Sequence, residues 1–456
     1  MSGLYGSLSV ALSSLLASQQ AMEAATNNVA NANTPGYSRQ RPDMVSGDPI
    51  VEGNLSFGTG VVLQRIQSLR DPILEIQLNQ ETQQQSKLNT SLGALQQMQT
   101  MFSSASTGIG ADITNFFTSL QQLSTDPSSV SLRQAVLTAA GNLATDFNTT
   151  ARNLQTQRGN LDRNVVQTVG EINNLTAQIA SVSQQIANLE NVHQDAGTLV
   201  DKQTNLIRQL SGLVDVSVIQ TEHGIALTTS NGTPLVSGGE SFALTSQTGN
   251  GGLQRILAGS QDITGSLTGG SLAGLIQIRD LEIPSLASSL DQLAAGLANA
   301  LNTANGSGFD LSGNAGGDLF VPPPAGGVGA AAALTVNITD PALIAASSDG
   351  TPGSNGNLAA LLAVHDQAVT AGQKPLDFYS NLVFKIGSDT SNASADVDAS
   401  DQILRQLQDQ RSSISAVSLD EEAANMVKYQ TAYQAAARVV TTVNSMLDAA
   451  VNLGRY

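Results

Sequence analysis

The sequence predicts a mainly α chain with inserted β structure. It reads as an elongated, multi-domain hairpin: both termini form a helical coiled-coil domain, a long helical bundle fills the middle, and a small β domain sits at the tip. Three observations predict this. A heptad seam stands at each end of the chain. Apolar residues at helical spacing occupy most of what lies between. Near Val214 the period changes from helical to two. At 456 residues the chain is about three times a common domain length, so two to four domains are expected.

Residues 1–70 form the first half of the terminal domain and its linker. The seam Leu4, Leu8, Ala11, Leu15, Ser18, Met22, Ala25, Val29 alternates steps of four and three, which puts these side chains on one helix face. It ends at Asn31-Ala32-Asn33-Thr34-Pro35-Gly36. Pro35 excludes the α region for Thr34, and Pro-Gly favours a type II turn. Residues 41–70 then read as strand and loop. Residues 71–212 are the outgoing half of the bundle, with helices expected over 72–102 and 130–210. The second carries the seam Leu154, Leu161, Val165, Ile172, Leu175, Ile179, Val182, Ile186, Leu189.

Residues 213–264 alternate apolar and polar around Val214, Val216 and Val218, with turn chemistry at Asn231-Gly232 and Gly238-Gly239, and form the β insertion. Residues 265–412 are the return half, with helices at 270–303, 357–371 and 375–412. Within it, 304–356 is a Gly/Pro-rich, loop-heavy and partly mobile stretch with one strand at 334–338. The last segment, 413–456, is a single helix. Ser418 followed by Glu421 is a capping box, and Asp420, Glu421 and Glu422 favour the helix dipole. Its seam is Met426, Tyr429, Tyr433, Ala436, Val440, Val443, Leu447, Ala450. Five of the six tyrosines (Tyr5, Tyr37, Tyr429, Tyr433, Tyr456) lie in the two end segments, as interface residues or as local core.

Composition excludes several functions. With 20 Lys and Arg against 37 Asp and Glu, the net charge of −17 argues against nucleic-acid binding. The absence of Cys removes disulfides, thiol catalysis and thiolate metal sites. The three His (His193, His223, His365) stand far apart, and His365 reads as a surface residue. No phosphate-binding loop or nucleophile elbow occurs. Asp396, Asp398 and Asp401, like the loop starting at Asp310, lack the glycine and glutamate of a calcium loop and read as caps and turns. No catalytic residue, cofactor site or metal site is therefore expected. No apolar stretch reaches the roughly 18 residues of a membrane span, and no basic segment precedes an apolar run as in a secretory leader. The charged fraction is 12%, against about 25% in ordinary domains, and residues 1–38 carry one charge, Glu23. Such a surface is suited to packing against copies or relatives.

The run Asn27-Asn28-Val29-Ala30-Asn31-Ala32-Asn33-Thr34-Pro35-Gly36-Tyr37-Ser38-Arg39-Gln40 resembles the signature shared by bacterial flagellar rod, hook and hook-associated proteins. So do Ser418–Met426 with its continuation Tyr429–Val439, and Gly308–Asn314 followed by Leu319-Phe320. Ser38-Arg39-Gln40 and Asp420-Glu421-Glu422 resemble the hook-associated, junction-forming members. The resemblance implies a structural subunit of the hook–filament junction, without enzyme activity. Its partners would be the hook protein, an adjacent junction protein and copies of itself in a ring. It implies export through the flagellar type III apparatus without signal cleavage, and a cytoplasmic chaperone on the C-terminal helix, at Met426, Tyr433, Val440 and Leu447. A hook or rod subunit, and a secreted effector with activity in 213–356, are the alternatives.

The assembly residues on this reading are Leu4, Tyr5, Leu8, Leu15, Met22, Val29, Asn31, Pro35, Gly36, Tyr37 and Arg39, with Met426, Tyr429, Tyr433, Val440, Val443 and Leu447. Arg39 and Arg41 are accounted for either by ion pairs to a neighbouring protomer or as solvated charges. A lone heptad helix cannot bury its seam, so the ends are expected to be disordered in the free subunit and to fold on assembly.

Overall fold

The computed structural model describes residues 2–52, 55–102, 108–192, 194–221 and 224–453. His193, His223 and Tyr456 lie outside the described residues. Helix α1 (Ser2–Ala30) is followed by a two-stranded antiparallel ribbon, β1 (Gln40–Ser46) with β4 (Val61–Ser68). Between them β2 (Ile50–Glu52) and β3 (Leu55–Phe57) form a second small hairpin. Helices α2 (Pro72–Phe102), α3 (Ile109–Leu123), α4 (Val130–Asn191) and α5 (Gly197–Leu213) make the outgoing bundle. The return runs through α6 (Gly270–Gln277), one π-helical turn (Ile278–Glu282), α7 (Ile283–Gly306), the short α8 (Ala330–Ala333) and α9 (Leu358–Ala363), and α10 (Pro375–Ser415). Helix α11 (Leu419–Leu453) closes the chain.

Helix α4 is the spine. Its 62 residues span about 90 Å at 1.5 Å per residue. Ser129 caps its start, the hydroxyl accepting from Leu132 N. The seam from Leu154 to Ile186 is buried along its length, with Leu175 and Leu189 at the edge. The helix expected over 130–210 is two helices, α4 ending at Asn191 and α5 starting at Gly197, and α5 folds back so that Gln203 donates to Ser183 at 2.8 Å. Between 102 and 130, where no helix is expected, α3 buries Ile109, Ile113, Phe116, Phe117, Leu120 and Leu123, one apolar face at helical spacing.

The β insertion holds a four-stranded sheet, β5 (Ser217–Thr221), β6 (Gly224–Thr228), β7 (Pro234–Ser237), β8 (Glu240–Ser241), and a three-stranded sheet of β9 (Leu244–Thr248), β10 (Gln254–Ala258) and β11 (Gln261–Asp262). It lies at the midpoint of the sequence but not at the far end of the bundle. It flanks the C-terminal half of α4, where the Asn173 carboxamide binds both the N–H and the C=O of Leu244 on the edge strand. Arg279, 2% exposed, pins it from the π turn through Asp162 at 2.7 Å and the Gln254 carbonyl at 2.9 Å.

The far end is built by residues 304–371. This Gly/Pro-rich stretch is packed: Leu319, Phe320, Ala330, Ala331, Leu334, Ile344 and Ala346 are all buried. In place of the expected strand there is an isolated bridge between Phe320 and Val336, and α9 is shorter than the expected helix over 357–371. The backbone lacks ladder partners, so side chains supply them. Asn302 binds both polar groups of Phe320. Asn305 serves Gly317 O and Ala345 N, and Asn357 donates to Ala304 O and Ala345 O. Arg133, 1% exposed, donates to the carbonyls of Pro127 (2.7 Å) and Ile344 (2.6 Å). A buried cation is stable here because carbonyl dipoles replace its water and the Asp310 carboxylate favours its charge.

Arg133→Ala would leave those carbonyls unpaired around a cavity. A loss of about 3 kcal/mol is expected, measured by denaturant unfolding; a loss below about 1 kcal/mol would show that the cage is dispensable.

Candidate assembly interface

Helices α1 and α11 pair antiparallel, with Asn28 and Glu422 bonded at one end. Their contact face is rotated from the expected seam toward small residues. Ala11, Ala17, Ser18, Ala21, Ala24, Ala25 and Asn28 are buried on α1, and Ala436 and Val443 on α11. Small side chains let the helix axes approach closely. Leu4, Leu8, Leu15 and Met22 are half-buried at the rim, as are Met426, Tyr429, Tyr433, Val440 and Leu447. Tyr5 and Val29 are exposed.

The opposite face of α1 is also apolar. At 100° per residue, Tyr5, Leu12 and Leu16 fall within about 40° of one another, on the side away from the buried alanines. They are 60%, 45% and 58% exposed. On α11, Val427, Val439 and Met446 are likewise exposed.

At the Asn28–Glu422 end of the pair stands a polar clamp built on the turn after α1. Asn31 and Gly36 are half-buried and Pro35 is exposed. Gly36 has φ +82°, which its lack of a Cβ permits, and its carbonyl accepts from Arg411 at 2.9 Å. The next four residues all turn inward. Tyr37 OH donates to Asn28 Oδ1 at 2.9 Å. Ser38 N donates to Asp201 on α5, and Arg70 binds both Ser38 and Asp201. Arg39 Nε reaches Glu422 at 2.7 Å and its Nη1 reaches Glu421 at 2.6 Å. Gln40 N donates to Asn28 Oδ1, and Asn28 Nδ2 donates to Gln40 O and Glu422. Glu75 on α2 then receives both Arg208 and Arg411.

Arg39 is thus paired inside its own chain rather than reserved for a neighbour, while Arg41 is exposed with no ion-pair partner among the described residues. The capping box is half-formed for the same reason. Ser418 Oγ accepts from Glu421 N at 3.5 Å, but the Glu421 carboxylate goes to Arg39 instead of back to the cap. The sequence reading gave Glu421 as the capping-box acid and the acids 420–422 as dipole partners and part of the family resemblance, not as clamp residues. It missed Asn28, Asp201, Arg70, Glu75 and Arg411. Asn28 lies inside the quoted signature, so its run of asparagines was the available signal; the others carry none. Among the other candidates, His365 sits in a turn with its ring edge-on to Phe117 and Nδ1 at 3.3 Å from Asp366, and Asp310 closes a turn by accepting from Ser312 N and Asn314 N.

Burial pushes the Tyr37 phenol up to about 12, with Asp201, Glu422 and Asp195 adding to it. An unfolded tyrosine ionises near 10, so this stabilisation is complete below pH 10 and is lost as pH rises through about 12. In denaturant unfolding of the isolated protein, stability should fall more steeply between pH 9.5 and 12 for the wild type than for Tyr37→Phe, by about 2 kcal/mol in total. Parallel profiles would show that the phenol is solvated.

Comparison with known proteins assigns this architecture. Residues 95–320 match the flagellar hook-associated protein FlgK helical domain. The ends match families shared more widely: the flagella basal body rod protein family over residues 8–37 and the flagellar basal body rod FlgEFG protein C-terminal family over 397–453. Flagellar hook-associated protein 1 of Bacillus subtilis is 30% identical, with 99% of each chain aligned. That of Escherichia coli is 27% identical over 97% of this chain and 98% of its own. The flagellar hook junction protein FlgK from Burkholderia pseudomallei shares the fold, with a TM-score of 0.66 at 19% identity over 74% of this chain and the whole of the other. The terminal signatures alone left rod and hook subunits open; the matched helical domain and the full-length relatives do not, and the chain belongs to the flagellar hook-associated protein 1 (FlgK) family.

Proposed function

We propose that this chain is a structural subunit of the bacterial flagellum, seated between hook and filament and assembled through its terminal helices. The observation that carries the reading is the terminal domain itself. Its helices are paired and clamped to the shaft, yet Tyr5, Leu12 and Leu16 remain uncovered in a segment almost without charge. Each such side chain contributes roughly 1.5–3 kcal/mol when fully buried. Copies of the chain arranged in a ring would cover them, with the hook protein below and the adjacent junction protein above. Family membership supports a role without catalysis. Relatives aligned over 97–99% of the chain support treating residues 213–356 as part of the same protein rather than as an effector appended to export signals.

Export would proceed through the flagellar type III channel without signal cleavage, the chain leaving unfolded. Met426, Tyr433, Val440 and Leu447 lie on the side of α11 that faces α1, half-buried. A cytoplasmic chaperone holding them would therefore keep α11 off α1 until export. The in-chain contact rests on alanines, which bury little area each, so the helices are weakly held away from the clamp.

Deletion of the gene should leave hooks intact and filaments absent, with filament protein released to the medium. Missing hooks, seen by electron microscopy, would overturn the assignment in favour of a rod or hook role. In the isolated subunit, residues 1–27 and 434–456 should exchange their amide hydrogens quickly while the clamp is protected. Strong protection across both ends would overturn folding on assembly.

A further inference from the structure

Four Asn-Gly pairs occur in the chain: Asn231-Gly232, Asn250-Gly251, Asn305-Gly306 and Asn355-Gly356. The pair is a turn former. It is also the dipeptide whose backbone most readily attacks its own side chain, because glycine has no Cβ to hold its nitrogen away from the asparagine Cγ. Two further conditions govern that attack. The glycine N–H must be free to lose its proton, and the carboxamide must be free to rotate onto the nitrogen. The fold withholds one or both from three of the pairs.

Asn305 is 0% exposed within α7, its carboxamide is bound to Gly317 O and Ala345 N, and Gly306 lies in the same helix. Asn231 Oδ1 accepts from Thr229 and Thr233, its Nδ2 donates to Ser266 at 2.7 Å, and Gly232 N donates to Thr229 O at 2.9 Å. Asn355 Nδ2 donates to Ser124 O at 3.1 Å, and Gly356 is pressed against Ser348. Asn250 differs. It stands in the loop between β9 and β10, where it and Gly251 are exposed. The loop is closed on either side of them, Gly249 N donating to Leu253 O at 2.8 Å and Gly252 N to Gly249 O at 3.0 Å. The Asn250 carboxamide and the Gly251 N–H have no hydrogen-bond partner among the described residues. Arg255 lies over the start of the same loop, its Nε 3.0 Å from where a Cβ of Gly249 would stand, and its carboxylate partner Asp262 is 3.6 Å away.

We propose that Asn250 is a site of spontaneous deamidation in the folded chain, the one Asn-Gly pair of the four that the fold leaves open to it. Gly251 N gives up its proton and bonds to Asn250 Cγ. The Cγ–Nδ2 bond breaks, and Nδ2 leaves as ammonia, taking a proton from water. Water then opens the cyclic imide, at Cγ to give aspartate or at the carbonyl carbon of residue 250 to give isoaspartate. Nothing is oxidised or reduced. Either product replaces a neutral amide with a carboxylate beside a loosely paired guanidinium. Isoaspartate also routes the main chain through its β-carbon, which lengthens a loop held shut by two hydrogen bonds. The reaction goes beyond the junction role and is independent of it.

The folded protein would be held at mildly alkaline pH and sampled over days. Conversion at each asparagine is read by peptide mass spectrometry as the mass gain of amide to acid, and placed by fragmentation. Expected is conversion at Asn250 at least tenfold faster than at Asn231, Asn305 or Asn355, with the four rates coming together in denaturant. In the folded chain Gly251→Ala should slow conversion at Asn250 at least tenfold and leave the other three unchanged. Conversion at Asn250 no faster than at the others would overturn the proposal. So would the same preference for Asn250 in denaturant, which would assign it to the neighbouring sequence instead of to the fold.

Discussion

The structure depends on the clamp that joins Asn28, Tyr37 and Arg39 to Glu422. Asn28 and Glu422 are 394 positions apart in sequence, yet every polar atom around them is directional. An apolar pairing of α1 with α11 alone would tolerate a slide of one turn, because one alanine replaces another with little loss. A buried carboxylate that accepts from both Arg39 and Asn28 does not tolerate it, since any shift strands a charge away from water. The same turn also reaches Asp201 on α5 and Arg411 on α10, with Glu75 of α2 one bond further. The orientation of the terminal pair on the shaft is therefore set by charge-assisted hydrogen bonds rather than by apolar area.

This division recurs along the molecule. Apolar seams supply most of the burial, and a few buried polar side chains choose one arrangement among those the seams allow. Arg279 and Asn173 hold the β insertion against α4. Arg133, Asn302, Asn305 and Asn357 hold a Gly/Pro-rich stretch that has almost no secondary structure. In that stretch they substitute for the ladder itself, which is why a segment with the composition of a loose loop is packed.

What was legible in the sequence follows from this. Seams are periodic and local, so the long helices and the β insertion could be read from residue spacing. Pins are neither. Nothing near Arg133 in sequence announces that the carbonyl of Ile344 awaits it, and nothing near Glu422 announces Arg39. Hence the fold class was legible, while the far end was expected to be partly mobile and Arg39 was expected to serve a neighbour or the solvent. The face of α1 was read one step off because Leu and Met outweigh Ala in any hydrophobic pattern, although alanines make the closer helix contact. Helix α3 was missed for a different reason: its pattern is clear, but it is short and lies between two longer seams.

The distribution of charge completes the account. Residues 39–418 hold 32 acids against 17 Lys and Arg, whereas residues 1–38 hold one charge in all. Two copies meeting side by side along their shafts therefore repel, over a range of about 8 Å at physiological ionic strength. Two copies meeting at their terminal domains lose little solvation and gain apolar contact. Association is thereby biased toward one end of the molecule before any specific contact forms. Low charge by itself would also promote indiscriminate aggregation. It is safe here because the charge-poor surface of residues 1–38 is confined to one end, where its own ribbon and the charged helix α11 partly occupy it. The acidic shaft then keeps chains apart everywhere else, which is the condition under which a weak, apolar, end-specific contact yields an ordered array instead of a precipitate.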